Sequence, residues 1–257
     1  MTHGPLVVVH RDQQLLADAA SSRFVTAVVD AQAARGEADV VLTGGTMGSA
    51  ILASVGTSRI RPAIDWPRLN VWWGDERFLP SGHADRNETQ ARAALLDAVP
   101  LDPARVHAIP GPDLSASVEA AAGAYAGTLA RAARPGRDVP DFDVVLLGVG
   151  PDAHIASLFP EHPALHEATA STVGVHGAPK PPPLRVSLTL RALRSGRDVW
   201  FLVSGADKAS AVGLALSGAG PMQAPAGAVQ GTRSTVWLLD RAAATHVPPA
   251  LVRISSP

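Results

Sequence analysis

Short apolar runs alternate with longer amphipathic stretches along this chain. "LVVVH" (Leu6 to His10) reads as a strand. Asp12 to Arg35 carries apolar residues at helical spacing, and Gly36 is placed to cap that helix. "DVVLTGG" predicts a second strand with a helix from about Thr46, and "RLNVWWGDE" a third strand. "DRNETQARAALLDAV" predicts a helix that Asp85 or Asn87 could cap. "ARVHAIPG" reads as a short extended segment, Leu114 to Arg134 as an Ala-rich helix, and "DFDVVLLG" as a strand. Beyond the proline-rich "APKPPPLR", "RVSLTL" looks extended, "DVWFLVSG" reads as a strand, Asp207 to Leu216 as a helix, and "STVWLLD" as a final strand.

Continuous apolar strands alternating with helices specify an α/β fold: a doubly wound, largely parallel sheet flanked by helices on both faces, Rossmann-like in layout. A length of 257 residues fits one such domain, and residues 1–257 show no internal repeat that would divide them. The Pro-Pro-Pro run extends the chain as polyproline II and reads as a connecting loop.

Composition narrows the partners. Hydrophobic residues make up 46% and charged residues 18%, enough for a large core and against wholesale disorder. A formal net charge of −1 gives no general attraction to nucleic acid or to an acidic membrane. The absence of cysteine removes disulfides, thiolate nucleophiles and Cys-based zinc sites. The stretch "MTHGPLVVVHRDQ" lacks the basic and apolar regions of a signal peptide, and no apolar run approaches the roughly 20 residues of a membrane span. The expectation is a soluble cytoplasmic protein.

In an open parallel sheet, ligands bind beyond the carboxyl ends of the strands. Four predicted strands run there into glycine and polar residues: Gly44-Gly45-Thr46, Gly74-Asp75-Glu76-Arg77, Gly148-Val149-Gly150-Pro151-Asp152-Ala153-His154, and Ser204-Gly205-Ala206-Asp207-Lys208. Each alone is compatible with a turn; together they describe one crevice. Gly44-Gly45-Thr46 reads either as a tight turn with a helix cap or as an anion cradle at a helix N-terminus. Lys208 opposes the positive end of its helix dipole, a misfit of a few tenths to about 1 kcal/mol that Asp207 or a bound phosphate would offset. Asp75 and Glu76 form a carboxylate pair able to orient Arg77 or to act as acid and base. His154 follows a glycine turn beside Asp152, which could fix its tautomer and leave a general base.

Other chemistries fit poorly. Gly148-x-Gly150-x-x-Ala153 has the form of a dinucleotide fingerprint, but Asp152 would repel pyrophosphate and Pro160 interrupts the helix that motif requires. His162 and His166 have a metal-like spacing with Pro163 between them, and neither His-Glu-x-x-His nor Gly-x-Ser-x-Gly occurs.

The segment "LLGVGPDAHIASLFP" resembles the signature of the 6-phosphogluconolactonases, roughly Gly-x-Gly-x-Asp-Gly-His-x-Ala-Ser-Leu-Phe-Pro. "TGGT", "WWGDERFLPSGHADRNETQARAALL", "VHAIPG", "RVSLTL", "FLVSGADKA" and "PAGAVQ…VWLLDRAA" resemble other segments of that family, in order and over nearly the whole chain. The resemblance implies hydrolysis of 6-phospho-D-glucono-1,5-lactone in the oxidative pentose phosphate pathway, with no cofactor and no metal. In that setting Thr46, Arg185, Lys208 and the N–H groups of Gly44 and Gly45 could hold the phosphate. His154 could take a proton from water, Arg77 could hold the lactone end or the developing oxyanion, and Asp75 would orient Arg77 or His154. Glu76, Asp152 and Gly150 would support them. The implied partner is a small sugar-phosphate lactone, taken by a monomer or weak homo-oligomer.

Two positions depart from the pattern: Ala153 stands where the family usually has glycine, and Glu161 where glycine often follows the proline. If φ is positive at Ala153, alanine costs about 1 kcal/mol or more. The related hexosamine-6-phosphate deaminase/isomerase group resembles His-Ile-Ala-Phe-Asn-Glu-Pro after its histidine. Residues 154–160 here lack that glutamate. A non-catalytic sugar-phosphate sensor on the same fold is a third reading, and no DNA-binding segment accompanies it here.

Overall fold

The computed structural model describes residues 4–254. Of the expected 1–257 unit, including the "MTH" of its N-terminal stretch, residues 1–3 and 255–257 lie outside the described residues. The chain runs β1 (Leu6–His10), α1 (Gln13–Arg35), β2 (Ala38–Leu42), α2 (Gly45–Thr57), β3 (Leu69–Trp73), β4 (Asp75–Arg77), α3 (Asn87–Ala94), α4 (Val118–Ala132), β5 (Val144–Gly148) and β6 (Thr172–Val175). It continues as β7 (Arg185–Leu188), α5 (Leu190–Leu193), β8 (Asp198–Val203), α6 (Ala209–Leu216), β9 (Ser234–Asp240) and β10 (Val252–Ile254).

Seven strands form a sheet in the order β10-β1-β9-β8-β5-β2-β3, and every neighbouring pair is parallel. All six residues of β8 are buried. Successive strand residues point to opposite faces, so such burial requires cover on both sides. Helices α1 and α2 pack on each other, α1 lying along β1, β2, β5 and β9 and α2 against β5 and β8. Asp12 caps α1 by accepting the Leu15 N–H, and Gly36, at φ 83°, ends it as expected. Among the described residues, no helix is long and apolar enough to cross a membrane.

Several expected boundaries move. The run "RLNVWWGDE" is two strands rather than one. β3 ends at Trp73, whose backbone N–H and C=O both bond the Tyr125 hydroxyl of α4, at 2.9 and 3.1 Å. Gly74 is the seam: its N–H donates to Leu42 of the large sheet and its carbonyl accepts from Leu188. Asp75–Arg77 then enters a second, three-stranded sheet, β4-β7-β6, which is antiparallel and packs on α4. Helix α3 is not capped by Asp85 or Asn87; Arg86 precedes it and makes no side-chain cap bond. "ARVHAIPG" contributes only the bridge of Val106 to Val71. The helix expected from Leu114 begins at Val118, after a Ser117 cap, and the one expected from Asp207 begins with a 3₁₀ turn, Ala206–Lys208. Strands β6 and β10 and the single turn α5 were not anticipated.

Candidate active site

A crevice of about 500 Å³ opens at the carboxyl ends of β2, β5 and β8 and against the small sheet. Gly44, Gly45, Thr46, Asp75, Arg77, Gly150, His154, Arg185 and Lys208 all line it. The four glycine-containing strand ends therefore meet, as their sequence suggested. Glu76 and Asp152 are not part of the lining.

Strand alternation explains why Asp75 and Glu76 separate. In the β4–β7 pair, Asp75 lies opposite Ser187 and Arg77 opposite Arg185. Residues two apart share a face, so Asp75, Arg77 and Arg185 face the crevice together and Glu76 faces away. The Glu76 carboxylate accepts the N–H groups of Arg77, Asn87 and Glu88 at 2.7–2.9 Å. It is thus the missing cap of α3, supplied from another element. Burial pushes its carboxyl up to about 7, against those three donors and the Arg86 guanidinium 3.8 Å away. Its supporting role is to fix the start of α3 and, with it, Asn87; it does not share a pocket with Asp75.

The expected pairing of Asp75 with Arg77 or His154 is replaced by other partners. Asp75 accepts Ser157 Oγ at 2.6 Å and Asn87 Nδ2 at 3.2 Å. His154 is held instead by Asp152, whose Oδ1 lies 2.5 Å from Nδ1. Burial would raise the Asp152 carboxyl, but the hydrogen bond and charge of His154 outweigh it and hold it below its ordinary value. An ionised carboxylate can only accept, so Nδ1 carries the proton and Nε2 the lone pair. The imidazole packs over Gly150, where a Cβ would stand 2.0 Å from Nδ1, and against Phe159, 4.6 Å between ring centres. Position 150, two residues beyond the end of β5, is glycine because the histidine ring occupies the space of a side chain there.

The backbone that turns His154 inward is left-handed at three non-glycine residues: Ala153 (φ 67°), Ala156 (φ 48°) and Glu161 (φ 57°). Both positions that depart from the family's glycines are therefore in the conformation glycine favours. The turn survives the substitution because it is held at both ends. The Ala153 N–H bonds the Gly150 carbonyl, its own carbonyl accepts from Ala226, and the Glu161 N–H bonds Met222.

The rest of the crevice is cationic or donor-rich. Helix α2 starts at Gly45 (φ 79°) with Gly44 as an N-cap that offers no side-chain oxygen. The first N–H groups of α2 therefore face the crevice without a side-chain cap, beside Thr46. A Cβ on Gly44 would meet Asn87 Oδ1 at 1.9 Å, so this turn and α3 fit together only through glycine. Lys208 Nζ bonds Asp207 at 2.7 Å, which offsets its place at a helix start. Arg77 donates Nη1 to the Asp85 carbonyl, and its buried Nε has no partner. Burial lowers the Arg185 guanidinium from its ordinary value; Asp75 opposes this and the Arg77 charge adds to it. Arg185 directs its donors largely to the carbonyls of Lys180, Pro181 and Pro182, clamping the proline loop as well as lining the crevice.

Residues that sequence reasoning passed over complete the site. Asn87 and Ser157 hold Asp75, and Lys180 joins the lining. Asp240, at the end of β9, accepts Ser204 Oγ and the Gly205 N–H and so fixes the β8–α6 turn. Ser157 sits inside the histidine segment, and its spacing from His154 was the available signal; Asp240 ends the last predicted strand on a polar residue, but its partners lie 35 residues away. His162, by contrast, lies outside this crevice with Nε2 on the His176 carbonyl. Among the described residues no cluster of three His, Asp or Glu is placed to hold a metal.

The arrangement offers a tethered imidazole, a clustered pair of arginines with a carboxylate, and a helix start without a side-chain cap at one wall. Comparison with known proteins bears on what it acts on. Residues 11–237 match the family model described as glucosamine-6-phosphate isomerases/6-phosphogluconolactonase. A 6-phosphogluconolactonase of Streptomyces coelicolor is 58% identical over 255 residues, covering 98% of each chain. The 6-phosphogluconolactonase of Mycobacterium tuberculosis is 46% identical over 94% of this chain and 98% of its own. Among solved structures, 6-phosphogluconolactonase from Trypanosoma brucei superposes with a TM-score of 0.78 at 25% identity, covering 96% of this chain and all of the other.

Proposed function

Since the chain belongs to the glucosamine-6-phosphate isomerase/6-phosphogluconolactonase family, we propose that the crevice opens 6-phospho-D-glucono-1,5-lactone with a water that His154 deprotonates. The lactonase branch of the family is the one that applies: the relatives at 58% and 46% identity are 6-phosphogluconolactonases. The chain is accordingly a lactone hydrolase of the oxidative pentose phosphate pathway, yielding 6-phospho-D-gluconate. The segment from His154 to Pro160 also lacks the further carboxylate of the deaminase pattern, and its Ser157 is committed to Asp75.

The observation that carries the mechanism is the Asp152–His154 pair on Gly150. With Nδ1 tied to a carboxylate, Nε2 is the basic nitrogen, and the imidazolium formed on taking the water proton is stabilised by Asp152. Attack on the lactone carbonyl develops negative charge on its oxygen. Arg77, which lines the crevice on the same strand face as Asp75, is the donor we assign to that charge. The 6-phosphate is assigned to the start of α2, Thr46 and Lys208, with Arg185 behind them. Asp75, gripped by Ser157 and Asn87, keeps Arg77 and Arg185 compensated rather than acting as the base. Collapse of the tetrahedral intermediate expels the ring oxygen, which regains a proton from the imidazolium. No step uses a cofactor or metal. We further take residues 1–257 to act as one catalytic domain, in the cytoplasm, as a monomer or weak homo-oligomer that binds no nucleic acid.

The test is hydrolysis of the lactone at mildly acidic pH, where spontaneous opening is slower. Acceleration is expected, with strong preference for the phosphorylated lactone over gluconolactone. Equal specificity constants for the two would remove the phosphate assignment, and a rate no faster than spontaneous opening would remove the function.

A further inference from the structure

Of the 22 lysines and arginines in this sequence only two are lysines, Lys180 and Lys208. Both line the same crevice. Everywhere else the chain uses arginine for its cationic surface and its ion pairs. An ammonium is kept at two positions only, and they face one cavity. Lys208 already has a place in the lactonase reading, but Lys180 has none.

The surroundings of Lys180 are built rather than incidental. Its loop is stiffened by Pro181, Pro182 and Pro183, and closed at the base by the Ala178 N–H on the Pro183 carbonyl, 3.0 Å. The buried Arg185 holds the same loop from beneath: Nη2 donates to the carbonyls of Lys180 at 2.8 Å and Pro181 at 3.2 Å, and Nε to Pro182 at 3.1 Å. A guanidinium so occupied with backbone has fewer donors left for an anion. The side chain of Lys180 is exposed at the crevice mouth. Asp207 lies within the field of both lysines. Its carboxylate takes Lys208 Nζ at 2.7 Å and is held below its ordinary value chiefly by that bond and, more weakly, by the charge of Lys180.

We propose that Lys180, set over the crevice by the Arg185-clamped proline loop, is a second cationic ligand of the substrate's phosphate, paired with Lys208; this assignment rests on the lactonase reading above. A phosphate with several acceptor oxygens competes with Asp207 for both ammonium groups. Lysine suits the place better than arginine: a compact charge on a flexible stem can reach a tetrahedral anion from a loop, where a planar fork would demand one bidentate approach. Arg185 then acts largely through the loop it positions.

Because ε-amines occur nowhere else in the chain, reductive methylation with formaldehyde, read by mass spectrometry, reports each lysine separately. 6-Phosphogluconate is expected to slow methylation at both Lys180 and Lys208; slowing at Lys208 alone overturns the proposal. In kinetics, Lys180→Met keeps the stem and removes the charge. It should lower kcat/KM for the phosphorylated lactone, relative to gluconolactone, by roughly tenfold to a hundredfold, mostly through KM. Lys180→Arg should recover part of the loss. An unchanged ratio between the two lactones overturns the proposal. A wild-type protein that fails to hydrolyse the lactone, yet shows both amines protected, keeps the two-lysine site and overturns the lactonase reading instead.

Discussion

His154 can sit where it does only because position 150 has no side chain, and it is oriented by Asp152, two residues before it. Replacing His154 by Gln or Ala should lower kcat by about 10²–10⁴-fold with KM nearly kept, as expected for loss of a positioned base. A variant with near-wild-type kcat would return His154 to a structural role. The left-handed residues give a second prediction. Glycine at Ala153 or Glu161 relieves about 1–2 kcal/mol of strain and costs about 0.4–1 kcal/mol of unfolded-state entropy. Ala153 is fully buried, so its lost methyl costs about 0.8 kcal/mol more, whereas Glu161 is exposed. Glu161→Gly should therefore stabilise by about 0.5–1 kcal/mol and Ala153→Gly should be near neutral, read from denaturant midpoints. A large gain at Ala153 would mean that its methyl packs poorly. At this scale the sequence was most legible where chemistry and spacing coincide, as in the Asp152–His154 pair. It misled at Asp75-Glu76, where two adjacent carboxylates look like partners but strand alternation sends them to opposite faces.

The elements were readable where hydrophobic period and cap agree, as in α1 with Asp12 and Gly36, and unreadable where the stabilising partner is distant. Helix α3 carries no usable cap of its own; its N–H groups are satisfied by Glu76, 11 residues upstream. Strand β6 is four residues with a glycine in the middle, and a Cβ on Gly174 would come within 3.2 Å of Val118 on α4, so its pairing reflects packing rather than propensity. Glu76→Ala should uncap α3 and remove one of the two acidic neighbours of the buried Arg86, costing about 1–3 kcal/mol for the N–H groups left without an acceptor. Chemical denaturation measures it; a loss under 1 kcal/mol would show that Glu88, which also pairs with Arg86, suffices.

For the whole molecule, pH enters through a half-buried carboxyl outside the crevice. Burial raises Asp39 to about 6, against the Trp72 Nε1 hydrogen bond and with the charges of Glu37 and Asp143 adding to it. A carboxyl whose folded value is raised stabilises the fold below its unfolded value, and that contribution is lost as pH rises through about 6. Asp39→Asn keeps an oxygen for Trp72 and removes the ionisation. Its melting temperature relative to wild type should therefore climb between about pH 4 and pH 7. A difference that does not change with pH would assign the slope elsewhere. Buried His10 and half-buried His107 are lowered by desolvation, and for them the sign reverses: stability is complete above the ordinary histidine value and falls on acidification.

The two sheets touch the crevice from different sides. Gly74 bonds one sheet through its N–H and the other through its carbonyl, and Ser157 reaches from the histidine segment to Asp75 and Ser187 of the small sheet. The imidazole therefore rides on one slab and both arginines on the other. A slip of about 1 Å between reacting groups can cost on the order of 10²-fold in rate. In the mechanism proposed above, catalysis is a gauge of slab alignment, finer than any signal from the folded core. In a urea titration, activity should fade at lower concentrations than far-ultraviolet dichroism, and a lactone-like inhibitor spanning the seam should draw the two midpoints together.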